Sequence, residues 1–91
     1  MKYVVLYETA PNALGKAMEL FSAHQRHYEP YAERGELVGL GTFGDPETEG
    51  SMAIFTTREA AERFVKDDPF ATEGVVSRVH VRDWDDVVGK S

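Results

Sequence analysis

A chain of 91 residues with 42% hydrophobic and 29% charged residues has room for one domain and is too apolar to be disordered. Sixteen acids against ten bases leave a net charge of −6, the wrong sign for a surface that binds nucleic acid by replacing its counterions. Cysteine is absent, which excludes a disulfide framework, a thiolate nucleophile and a zinc–sulfur site, and agrees with a cytoplasmic protein.

The opening "KYVVLYE" (2–8) is β-branched and aromatic and reads as a strand. Its apolar run is too short for the core of a signal peptide, and no window of the chain is long and apolar enough to span a membrane. Tyr3, Val5 and Tyr7 fall on one face, Val4 and Leu6 on the other, so both faces expect cover. After "TAPN" the spacing becomes helical. Leu14, Met18, Phe21, Gln25 and Tyr28 recur three or four apart, which predicts a core-facing stripe that stops at Gly35. Pro30 lies inside this pattern and cannot donate to the carbonyl of Arg26, so a bend near 26–30 or two helical pieces are expected.

"ELVGLGTF" (36–43) and "SMAIFTT" (51–57) read as a hairpin across the polar turn "GDPETEG", with Gly39 and Gly41 marking a bulge or a close approach. Thr56 and Glu59 have the spacing of a capping box, opening a second helix that buries Ala60, Ala61, Phe64 and Val65. Pro69 disfavours helical geometry at Asp68, so that helix stops there. "VVSRVHVRDW" (75–84) is the last strand. The order β-α-β-β-α-β predicts an α+β, ferredoxin-like domain over residues 1–91: a four-stranded antiparallel sheet with two helices on one face. The other face, with part of strand one and Trp84, is expected to be covered by a second copy in a homodimer.

Three histidines are available for chemistry. The spacing places His80 on the polar face of the last strand and His27 on a solvated helix face, whereas His24 sits at the rim of the apolar stripe. Antiparallel helices on one sheet bring the end of the second helix near the middle of the first, so Asp68 is in range of His24. A carboxylate there fixes the imidazole tautomer for acid–base work. Against this stands the plainer reading of "DDP" as a solvated helix stop. His24 and His27, at i and i+3 without a convergent carboxylate, make a poor metal set, and "GLGTFG" lacks the spacing of a phosphate-binding loop.

The runs "FSAHQRHYEPYAERGELVGLG" and "SMAIFTTREAAERFVKDDPFATEGVVSRVHVRDW" resemble the two halves of the YCII-related (YciI-like) family, with "DPFATEG" and its upstream histidine the most specific elements. The resemblance implies a dimeric α+β barrel-type fold and an active site built from the histidine and the aspartate, which fall on His24 and Asp68. Ser51, which opens the third strand, falls in the same cleft. Two departures stand out: Gly41 is followed by Thr42 where the family often has proline, and Pro30 intrudes in the first helix. The expected function is a small enzyme, with no metal or organic cofactor, doing isomerase or lyase chemistry of the dehydrohalogenation type on a small organic molecule. Tyr28, Tyr7 or Ser51 would donate to a developing oxyanion. The alternative is a homodimeric module that binds a small ligand without turnover.

Overall fold

The structure, a computed structural model, describes residues 1–89. Strand β1 (Lys2–Thr9) leads to helix α1 (Leu14–Glu33) and strand β2 (Leu37–Thr42). A one-turn helix α2 (Pro46–Glu49) precedes β3 (Ser51–Phe55) and helix α3 (Arg58–Asp67). A second single turn, α4 (Pro69–Thr72), leads into β4 (Val76–Trp84). All three strand pairings are antiparallel, in the order β2-β3-β1-β4. No helix among the described residues is long and apolar enough to cross a membrane.

Strand register decides which residues meet the helices. Tyr3, Val5 and Tyr7 pair with Phe55, Ala53 and Ser51, and Leu37, Leu40 and Thr42 extend those three rows onto β2. Opposite residues of an antiparallel pair share a face, and this face carries the core. Val5, Tyr7, Ala53 and Phe55 pack with Tyr31 of α1 and with Ala60, Ala61 and Phe64 of α3. The other face presents Leu6, Met52 and Ile54, half-buried, and Trp84, exposed.

The predicted stripe of α1 is displaced around the helix. Met18 and Phe21 are 79% and 53% exposed, and Leu14 is also exposed. The residues turned inward are Ala13, His24 and Tyr31, with Ala17, Leu20, His27 and Tyr28 half-buried. The stripe is 3.6-periodic as expected, but apart from Leu20 the members named are small or polar-aromatic. Alanines let the helix sit close to the sheet, and each polar ring finds a partner once buried. Pro30 does not end the helix or split it in two; α1 runs unbroken to Glu33. Pro30 and Arg26 are both exposed, so solvent takes the place of the single missing backbone bond.

Thr57, not Thr56, caps α3, its side chain accepting from the Ala60 amide; Thr56 still lies in the incoming strand connection, where its amide bonds to the Glu36 carbonyl. The β2–β3 ladder shifts register between Leu37 and Gly39, leaving Val38 bulged out, as the glycines foretold. At Gly39 a side chain would crowd Ile54, its Cβ lying 3.2 Å from Cδ1.

Gly50 is the most closely approached glycine among the described residues. It joins α2 to β3 at φ 78° and ψ −151°, and a Cβ there would run into the carbonyl oxygen of Tyr7. Gly50→Ala is therefore expected to cost at least about 1–3 kcal/mol from the backbone conformation alone. Gly35→Ala, also at positive φ but with nothing within 4 Å, serves as the comparison. Thermal melts showing equal losses for both would contradict the close approach at Tyr7.

Candidate functional site

The α3–α4 junction builds the centre of the site. Pro69 holds Asp68 extended at φ −67° and ψ 122°, so α3 stops and the Asp68 carboxylate caps α4 instead, Oδ1 accepting from the Phe70 amide at 3.1 Å. The capping role also turns the carboxylate inward. Asp68 is 0% exposed, a state an acid reaches only when fully paired. His24 Nδ1 donates to Oδ1 at 2.8 Å, and the Tyr7 hydroxyl donates to Oδ2 at 2.7 Å. Three elements, α1, β1 and α4, thus converge on one carboxylate.

The electrostatics follow from those bonds. Burial by itself would push the Asp68 pKa up. The bonds from His24 and Tyr7, the attraction of the imidazole and the Phe70 amide outweigh it, and the carboxyl lies below the usual aspartate range. The Tyr7 phenol moves far upward, first from burial and then from the adjacent negative charge, so it stays protonated. An ionised Asp68 that accepts from Nδ1–H leaves Nε2 of a neutral His24 as the lone-pair nitrogen.

That nitrogen faces open space. Among the described residues Nε2 has no hydrogen-bond partner, no unpartnered side-chain polar atom is fully buried, and His24 lines a pocket of about 370 Å³. Phe70 stacks flat on the imidazole, with centroids 3.9 Å apart and planes 8° from parallel. Tyr28 meets the ring edge-on at 5.2 Å. The imidazole is therefore held from behind by a carboxylate and from the side by two aromatic rings.

All five residues singled out in the sequence line or support this pocket: His24, Tyr28, Ser51 and Tyr7 on its wall, and Asp68 behind His24. Two of them sit differently from expectation. His24 is buried, 7% exposed, and not at a rim. The one hydroxyl proton of Tyr7 is engaged by Asp68, so Tyr7 is not a free donor. The sequence reading missed Phe70 as the stacking partner; its signal was the "DPFATEG" run, used there only to mark the family resemblance. His27 is not solvated either: its Nε2 donates to the Phe64 carbonyl at 2.8 Å and its ring packs on Phe64. His24 and His27 thus point at different partners, and no cluster of three or more metal-ligating side chains occurs among the described residues. His80 is exposed as expected, beside Glu8 at 3.0 Å.

A family model described as the YCII-related domain matches residues 1–85. No curated protein matches the chain. Solved structures do. A 5-chloro-2-hydroxyhydroquinone dehydrochlorinase from Burkholderia phenoliruptrix AC1100, in complex with 2,5-dihydroxybenzoquinone, is similar with TM-score 0.70 at 23% identity, over 93% of this chain and 94% of that one. A nipsnap-family protein of unknown function from Agrobacterium tumefaciens is similar with TM-score 0.56 at 13% identity, over 89% of this chain and 82% of that one. At these identities the likeness is one of fold.

Proposed function

The chain belongs to the YCII-related domain family, and from that premise we propose a cofactor-independent enzyme that performs acid–base elimination on a small hydroxylated ring. The observation that carries the proposal is the buried chain Tyr7–Asp68–His24, whose last nitrogen opens into the pocket. Asp68 holds the tautomer and Tyr7 holds Asp68. The similarity of fold to a dehydrochlorinase supports the reaction class.

For a chlorinated hydroxyhydroquinone the steps balance as loss of HCl. His24 Nε2 takes a proton from a ring hydroxyl and returns it to the carbon that bears chlorine. The carbon–chlorine bond then breaks with its electron pair, chloride leaves, and a second hydroxyl gives its proton to Nε2. The ring, short of two hydroxyl hydrogens and one chlorine but with one carbon-bound hydrogen more, is left as a quinone. Tyr28 and Ser51, which line the pocket and whose hydroxyls have no partner among the described residues, would bind the ring oxygens. General acid–base catalysis by such a group contributes about 10²–10⁴-fold.

We read the strand order, with α1 and α3 on one face, as ferredoxin-like, and the half-buried Leu6, Met52 and Ile54 of the other face as the contact of a homodimer. A stable monomer at micromolar concentration in sedimentation would sink the dimer. For the enzyme, chloride release and quinone absorbance from 5-chloro-2-hydroxyhydroquinone are the test. Turnover is expected in the parent protein and a loss of about 10²-fold or more in His24→Gln. Saturable binding without turnover would replace the enzyme by a ligand-binding module.

A further inference from the structure

The pocket floor is striped by strand register. One row across three strands, Thr42, Ser51 and Tyr7, presents hydroxyls; the next, Leu40, Ala53 and Val5, is apolar. The middle members, Ser51 and Ala53, are small, and their missing bulk is what leaves room above β3. The hydroxyls of Thr42, Ser51 and Tyr28 have no partner among the described residues, and none is fully buried and unpartnered. They are free to bond solvent or a ligand in the pocket they line.

No Lys or Arg lines this pocket. Several of the cations lie elsewhere in ion pairs: Lys2 with Asp86, Arg34 and Arg63 with Glu36, Arg58 with Glu62 and Asp83. The Asp68 carboxylate behind His24 repels an anion, as does the net charge of −6. A substrate carboxylate would lose its hydration here and meet no lysine or arginine.

Resting on the proposed reading of this pocket, we infer that its substrate class is an uncharged ring bearing hydroxyl groups, seated on the Thr42–Ser51 row, and that the same ring carrying a carboxylate is rejected. Apolar walls take the ring, and neutral hydroxyls bind ring oxygens at no cost in unpaired charge.

The test is a pair of calorimetric titrations near neutral pH, with hydroquinone and with 2,5-dihydroxybenzoate, its carboxylated counterpart. Hydroquinone is expected to bind at least about tenfold more tightly, a difference of about 1.4 kcal/mol. Ser51→Ala and Thr42→Val, both in the half-buried or exposed floor, should each weaken hydroquinone and narrow that ratio. Equal or tighter binding of the carboxylate overturns the inference, as does failure of hydroquinone to bind at millimolar concentration. Because no turnover is measured, the two readings fail separately. A retained preference without chloride release removes only the enzyme, and chloride release without the preference removes only this substrate class.

Discussion

Asp68→Asn is expected to abolish turnover while leaving the protein folded, with a loss of about 10²–10⁴-fold in kcat. The wild-type carboxylate accepts three hydrogen bonds, from His24 Nδ1, Tyr7 and the Phe70 amide. An asparagine has one acceptor oxygen and an NH₂ that only donates. With its oxygen in the place of Oδ1 it serves both the Phe70 amide and Nδ1–H, and its NH₂ faces the Tyr7 hydroxyl, which must then accept. The imidazole keeps its tautomer but loses the carboxylate charge that stabilises it once it has taken the substrate proton. Asp68→Ala removes the acceptor altogether and leaves three donors facing an apolar void. Breaking such a buried network costs about 3–5 kcal/mol, against a total stability of about 5–15 kcal/mol for a domain. Thermal melts and chloride release on the two variants separate the effects. The Asn variant should keep most of the melting temperature and lose the activity; the Ala variant should lose both. Wild-type chloride release from Asp68→Asn would remove Asp68 from the reaction.

Much of this site was legible because it rests on short-range rules. Proline after Asp68 fixes where α3 must stop, and "TAPN" and "GDPETEG" fix the turns, so the element order follows. The pairing of His24 with Asp68 then follows from helices lying antiparallel on one sheet. The inward face of α1 was not legible, for a physical reason. Hydrophobic periodicity counts Met18 and Phe21 as core and passes over His24, His27 and Tyr31, yet polar rings are buried freely wherever a partner is waiting. Those partners, Asp68, the Phe64 carbonyl and Arg63, come from 32 to 44 residues away in the chain. No local window contains them. The one-turn helices α2 and α4 were hidden for the converse reason. Each is a single turn made by a side-chain cap and a proline at its start, too short for any periodicity to register.

Tyr7→Phe is expected to raise the pH at which the protein loses both stability and activity on acidification. The native Asp68 carboxyl lies below its ordinary range, against the upward push of burial, because His24, Tyr7 and the Phe70 amide bond its ionised form. A native pKa lower than the unfolded one of about 4 means that ionised Asp68 adds stability above that pH. The contribution fades as the pH falls through the lower native value. Removing the Tyr7 hydroxyl takes away the bond to Oδ2 and leaves burial less opposed, so the native pKa rises and the contribution both shrinks and disappears at higher pH. The Phe ring still fills the same volume, so the core of Val5, Ala53 and Phe55 is kept. At neutral pH the loss is that of one hydrogen bond to a charged group, about 1.5–3 kcal/mol. Activity should follow the same group: the acid limb of the kcat profile moves to higher pH in Tyr7→Phe, with little change in KM. Tyr28→Phe, which touches the pocket and not Asp68, should change KM and leave the acid limb in place. An acid limb unmoved in Tyr7→Phe would make the 2.7 Å bond a feature of packing alone.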